Sequence, residues 1–430
     1  MNVRFDHARA QAKKKLNLHQ HTHLSTFKHG PWACLLLLLL ASSSLLLLLL
    51  LPTLPRRFWS YSPLSSYFSS SSLYSTCNTN TFPQGRVFRP PGSRVVVVAD
   101  VHGDLERLTS TLLAVELIDQ EHHWRSNNRD VLVLLGDLVD RGPDTKQVLE
   151  SVMQWSREAK ENGGQLVELL GNHEIMAMSG VTRFVGAKDF ESFGGEVPRQ
   201  QAFSSSTGKF GGWLRCLNVA VVVEQDLYVH AGLLPKWIEK QGGINALNAI
   251  NEQGRRAMKN ENYEDTLFKS DGPLWTRYLA RGNNEKEVCA VLKQTLKALN
   301  VTRMVVGHTR QHVTIGIKCA GQLLLLDTGM SQAYDSNPAA LIVRQTEGGG
   351  QSSEIVYPAV PQVREEKRIF LEDIEQVKVH HEELIEAHRV AQSDQSRREQ
   401  IKRDFILHKK QKNLRHDGSQ HRRRRRRRSR

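Results

Sequence analysis

Acidic residues are missing from one long stretch of this chain: residues 7–99 contain no Asp or Glu. That absence sets the stretch apart as anchoring, targeting or linking sequence. Cysteine is also scarce. Cys34, Cys77, Cys216, Cys289 and Cys319 show no C-x-x-C spacing, so no zinc or disulfide framework can be read from them. Cys34 sits in an apolar run and Cys77 in a Ser-rich stretch. The other three read as small buried residues, and cysteine usage leaves the redox compartment open. A basic surplus is missing from the middle of the chain. The net charge is +14, but the excess lies in residues 1–92 and 416–430, leaving residues 93–415 close to neutral. No nucleic-acid partner is implied for the core.

What is present divides the chain. Residues 1–30 are a basic segment with Lys13-Lys14-Lys15. Residues 31–51 are apolar and uncharged, long enough to span a bilayer as a transmembrane or signal-anchor segment. Residues 52–92 read as a Ser-rich linker, and the catalytic domain is expected over residues 93–362. Residues 363–415 are charged, with apolar positions at helical spacing, and predict one long helix. Residues 416–430 end in seven consecutive arginines, Arg422 to Arg428, a composition that predicts disorder.

Within 93–362, Arg94–Val98, Val131–Leu135 and Gln165–Leu170 predict strands, separated by helices over Leu105–Leu117 and Thr145–Glu161. Gly180–Phe210 reads as a variable insert. Val219–Val223 and Leu227–Val229 predict a hairpin, and Thr302–Val306 and Gln322–Leu326 later strands. This pattern predicts an α/β fold with mixed sheets and outer helices.

Each of the first three strands runs into a polar cluster: Asp100-Val101-His102-Gly103-Asp104, then Gly136-Asp137-Leu138-Val139-Asp140-Arg141-Gly142, then Gly171-Asn172-His173-Glu174. Open α/β sheets place their sites at the carboxyl ends of strands, so the three clusters are expected in one crevice. His230 and His308 each follow an apolar strand and neighbour a turn containing Gly. Two Asp, one Asn and three His form a mixed oxygen and nitrogen donor set, suited to Mn, Fe or Zn better than to Ca or Mg.

These motifs, together with His230-Ala231-Gly232 and Gly307-His308, resemble the phosphoprotein phosphatase group of calcineurin-like metallophosphoesterases. Within it they are most similar to the Shewanella-like phosphatases. The resemblance covers about residues 93–345. It implies a β-sandwich flanked by helices and two divalent metal ions, one held by Asp100, His102 and Asp137, the other by Asp137, Asn172, His230 and His308. It implies His173 as general acid oriented by Asp140, and Arg141 as a phosphate ligand. Arg277 is the choice for a second phosphate-binding arginine. Ala99 departs from the family pattern, which has Gly. Glu174 is read as supporting the loop by hydrogen bonding, and Asp104 and Asp327 as either supporting the metal ligands from behind or structural.

The implied function is hydrolysis of phosphate monoesters on phosphoproteins, by attack of a metal-bridging hydroxide without a phosphoenzyme. A dinucleoside polyphosphate hydrolase and an inactive membrane-tethered scaffold are the alternatives. The expected partners are a phosphorylated protein, a membrane through residues 31–51 and an acidic partner for the Arg-rich tail. The expected location is a single-pass membrane protein of the secretory pathway, with a mitochondrial or other organelle presequence as the alternative.

Overall fold

The computed structural model describes residue 77 and residues 85–204, 207–239, 243–334, 336–360, 365–371, 379, 382–386 and 389–390. The expectations for residues 1–30, 31–51 and 416–430 lie outside the described residues. Among the described residues no helix is long and apolar enough to cross a membrane.

The described residues build two six-stranded sheets. Strands β1 (Arg86–Val87), β2 (Val95–Val98), β3 (Val131–Leu134) and β4 (Gln165–Glu168) come first. Helix α1 (Leu105–Ala114) joins β2 to β3, and α2 (Thr145–Glu161) joins β3 to β4. Helices α3 (Asn172–Met178), α4 (Ala187–Phe193), α5 (Glu196–Ala202) and α6 (Gly211–Leu214) follow, then the hairpin β5 (Ala220–Val223) and β6 (Asp226–Val229). After α7 (Ile244–Lys259), α8 (Tyr278–Arg281) and α9 (Glu285–Leu299) come β7 (Arg303–Val306), β8 (Gly316–Lys318) and β9 (Leu323–Leu325). Strands β10 (Ala340–Gln345), β11 (Gln351–Tyr357) and β12 (Lys367–Phe370) complete the set. One sheet has the order β1-β5-β6-β7-β9-β8 and the other β12-β11-β10-β2-β3-β4.

The side-chain period of two explains how one apolar strand serves two cores. Val95 and Val97 of β2 point into the layer between the sheets, with Val131, Val133, Val221, Val305 and Leu341. Val96 and Val98 point the other way, toward Leu108, Leu112 and Val148 of α1 and α2. A parallel strand buried on both faces reads as the continuous run of valines seen here. Strands β2, β3 and β4 are mutually parallel, as are β6 and β7, so their carboxyl ends emerge along the same edges.

Several expectations need correction. The fold begins before Ser93: Arg86 and Val87 pair with Val222 and Val223 inside what reads as linker. Lys367–Phe370 is a strand paired antiparallel with β11, where one helix over 363–415 is expected. Ile369 is buried there while its neighbours Arg368 and Phe370 face outward; that alternation in a charged background is too short to stand out. Residues 382–386 are helical. The insert contains two helices, α4 and α5. The cysteines pair, Cys77 with Cys216 and Cys289 with Cys319, across sequence separations of 139 and 30. Their spacing hides both bonds because the partners are far apart in sequence and only Cys289 lies on a helix.

Candidate active site

The five strand ends meet through their backbones. The amides of His102 and Gly103 donate to the carbonyls of Asp137 and Leu138, at 2.9 Å each. The amide of His308 donates to both carboxylate oxygens of Asp100 at 3.0 Å, and that of His173 to Asp137 Oδ1 at 2.8 Å. Glu174 accepts from the amides of Asp137, Leu138 and Gly171 at 2.8–2.9 Å, which is the loop-supporting role read for it. Asp104 likewise caps α1 through the Arg107 amide.

This convergence twists the chain. Asp100, His102, Asp137, Asp140, Arg141 and His308 all hold left-handed φ between 48° and 70°, a conformation that non-glycine residues rarely adopt and that clusters at functional sites. Two motif glycines have a steric reason. A Cβ on Gly171 would stand 2.2 Å from Asp137 Oδ1, and one on Gly307 would stand 2.1 Å from Asp100 Oδ2. Ala99 has no left-handed φ, so its departure from glycine carries no backbone strain.

The donors form two groups that share Asp137. Ligand atoms of His102, Asp137 and His173 lie within 4.8 Å of one another, as do those of Asp137, His230 and His308. His102 Nε2 and His230 Nε2 approach Asp137 Oδ2 to 3.8 and 3.4 Å, and His230 Nε2 is 3.0 Å from Asn172 Oδ1. The opposite ring nitrogens are tied to carbonyls: His102 Nδ1 to Val139, His230 Nδ1 to Leu135 and His308 Nε2 to Trp275, at 2.8–3.1 Å. In His102 and His308 a carbonyl on one nitrogen leaves the other with its lone pair facing the carboxylates, as metal-ligating histidines require, while His230 is held by its carbonyl with Nε2 turned to Asp137.

The charges fit a cation as well. Burial, with Asp327 beside it, pushes the Asp100 carboxyl well above its usual range. Burial pushes Glu174 up to about 7 and Asp327 to about 6. Burial works to raise Asp137 also, but His230, His173 and His102 outweigh it and hold that carboxyl well below the usual range. Burial lowers His102 to about 4 and, with His230, lowers His308 to about 2, so both rings are neutral donors. Burial opposes protonation of His230, but Asp137 wins and lifts it to about 9. Four buried carboxyls with so few compensating cations suit added positive charge.

Around the donors lie the groups that would meet an anion. His173 Nδ1 is 2.8 Å from Asp140 Oδ2. Burial works against its proton, but Asp137 and Asp140 together raise its pKa. Arg141 stacks 4.0 Å over Phe184 and faces Tyr334 at 5.5 Å, and its Nε is buried without a hydrogen bond. Arg277 is half-buried and reaches the His308 carbonyl at 2.9 Å and Thr309 Oγ1 at 3.1 Å. Thus the structure brings all ten residues read from the sequence into one crevice. Sequence reading missed Phe184, Tyr334, Asp189 and Arg199. Phe184, Asp189 and Arg199 lie in the insert, and no local pattern there marks them.

The calcineurin-like phosphoesterase pattern matches residues 93–311. An uncharacterized protein of Schizosaccharomyces pombe is 33% identical over 59% of this chain and 78% of its own. Shewanella-like protein phosphatase 1 of Plasmodium berghei is 30% identical over 55% of this chain and 67% of its own. Among solved structures, a cold-active protein-tyrosine phosphatase of a psychrophilic Shewanella species superposes with a TM-score of 0.53. It is 25% identical and covers 63% of this chain and 82% of that one. The chain belongs to the calcineurin-like phosphoesterase family of phosphoester hydrolases.

Proposed function

We propose that the crevice is a two-metal site that removes phosphate from phosphoproteins, with phosphotyrosine as the favoured residue. The observation that carries the reading is Asp137, whose carboxylate belongs to both donor groups at once. Asp100, His102 and Asp137 would hold one ion. Asp137, Asn172, His230 and His308 would hold the other, with Mn, Fe or Zn favoured by the donor chemistry. Bound there, two such ions activate water and neutralise phosphoryl charge. The chain's own groups do the rest. Arg141, with an unsatisfied buried Nε, and Arg277, beside His308, receive the phosphoryl oxygens. His173, held by Asp140, gives its proton to the departing oxygen. Phe184 packs 5.1 Å from the ring of the acid His173, and Tyr334 packs 5.3 Å from the neighbouring His102 ring, so aromatic walls line the site. Such walls suit an aryl ester, as does the protein-tyrosine phosphatase named among the solved structures.

The test compares phosphotyrosyl peptides, phosphoseryl peptides and diadenosine tetraphosphate on the metal-loaded chain. We expect kcat/KM to fall in that order. A preference for diadenosine tetraphosphate would replace this reading with a dinucleotide hydrolase, and metal binding without turnover would favour a scaffold.

The location proposed is the secretory lumen, with residues 31–51 as the anchor. Two disulfides are compatible with an oxidising compartment, and the sequon Asn300-Val301-Thr302 has its Asn and Thr exposed. The Arg-rich tail is proposed to meet an acidic partner, with binding that weakens as salt rises.

A further inference from the structure

The insert between α3 and β5 reads as decoration on the sequence, yet it sends one arginine into the centre of the catalytic loop. Arg199 of α5 is 2% exposed, and Asp140 and Asp189 are fully buried. Its Nη2 donates to Asp140 Oδ1 at 2.8 Å and its Nε to Asp189 Oδ2 at 2.9 Å. The Asp189 Oδ1 atom accepts from the Thr145 amide at 3.2 Å, and Thr145 Oγ1 accepts from the Asp140 amide at 3.2 Å. Asp140, Arg199, Asp189 and Thr145 therefore close a ring of four hydrogen bonds. The ring ties the insert to the first residue of α2 and to the loop after β3. The guanidinium also lies over the Phe203 ring at 4.8 Å, so its plane is fixed on three sides.

We infer that Arg199 is a positioning residue for the acid that protonates the leaving group, an inference that rests on the acid role of His173 proposed above. The geometry is specific. Asp140 spends one carboxylate oxygen on Arg199 and the other on His173 Nδ1 at 2.8 Å. A carboxylate with one oxygen pinned cannot rotate about its Cβ–Cγ bond without breaking a charge-assisted hydrogen bond, about twice as strong as a neutral one. The imidazole it holds is thereby kept facing the crevice with Nε2 forward, 4.0 Å from Asp137 Oδ2. A purely structural ion pair would need only one carboxylate, and burying such a pair is weak evidence for added stability. Here the guanidinium bridges two, and the one it shares with His173 belongs to the reaction. The insert thus supplies the outermost link of a chain running Asp189, Arg199, Asp140, His173.

The test separates positioning from structure by leaving group. Phenyl phosphate departs as a basic phenolate and needs the acid; 4-nitrophenyl phosphate needs it much less. Arg199→Met should lose roughly 10–100-fold on phenyl phosphate, within the range a general acid contributes, and much less on 4-nitrophenyl phosphate. Its bound metal should be unchanged. Adding Arg199→Met to His173→Asn should cost no more than roughly twofold further, because residues acting through one another are not additive. Arg199→Lys, which keeps the charge and cannot span both carboxylates, should show the same bias at smaller size. It carries the test if the Met variant melts below assay temperature. Equal losses on both esters in the folded variants, or additive losses in the double variant, overturn the proposal. If His173→Asn itself shows no leaving-group bias, the acid reading falls instead. A bias in His173→Asn with none in either Arg199 variant removes Arg199 alone.

Discussion

Asp137 shows how single residues carry this site and how much of each was legible. Its motif, Gly-Asp between an apolar strand and Asp-Arg-Gly, marks it as a donor. What the motif does not show is that its carboxylate lies within reach of four histidines, His102, His173, His230 and His308, gathered from four other strand ends. Replacing it by Asn removes the charge and keeps the shape. Asp137→Asn should lose metal at both positions and nearly all turnover while retaining its fold; full metal content measured by elemental analysis would refute the bridging role. His173→Asn should behave differently, keeping metal and losing roughly 10²–10⁴-fold in rate. Nine of the ten residues come together because they follow strand ends, which are fixed by the sheet order that apolar runs make visible; Arg277, chosen for its place between His230 and His308, instead stands at the start of α8. Arg199 and Asp189 stayed hidden because a buried ion pair on seven-residue helices leaves no periodicity.

At the level of elements, the helix expected over Thr145–Glu161 is found with those bounds, since seventeen residues carry the 3.6 period well. Two-residue β1 and four-residue β12 escaped for the opposite reason: short strands beside Pro or charge have no period to read. One strand carries a stability consequence. Glu168 ends β4 with its side chain buried, and Oε1 has no hydrogen bond. Burial pushes its carboxyl up to about 8, against the weaker pull of its own backbone and of Ser156. A carboxyl raised in the folded state binds more protons there than in the unfolded chain. Its contribution to stability therefore falls as pH rises from about 4.3, the ordinary glutamate value, to about 8. Glu168→Gln removes the ionisation. Its melting temperature should gain on the parent across that window, by several degrees at the upper end, and by little near pH 5. An equal difference at pH 5 and pH 9 would show that Glu168 is not the group responsible.

For the whole molecule, the disulfides and the acid-free N-terminal stretch bear on one question, the compartment in which this phosphoesterase folds. Cys77 lies upstream of the family's matched region, yet it is joined to Cys216 beside the hairpin. The bond ties the segment that follows the apolar run to the catalytic core. Closing so long a stretch of chain is worth about 2–4 kcal/mol in typical measurements, so Cys77→Ser and reductant should both lower the melting temperature of the parent, and reductant should act less on the variant. Such bonds are characteristic of oxidising compartments and rare in reducing ones. The secretory lumen and an oxidising organelle space share that property, and glycosylation separates them. Asn300 ends α9 in the left-handed conformation with its side chain exposed, so a glycan there meets no steric bar from the fold. The full-length chain should carry endoglycosidase-sensitive mass that Asn300→Gln abolishes, and an acceptor introduced near Ser66 should add a second increment. Absence of glycan at both positions, with the protein fractionating among mitochondria, would replace the proposed secretory location with an organelle presequence.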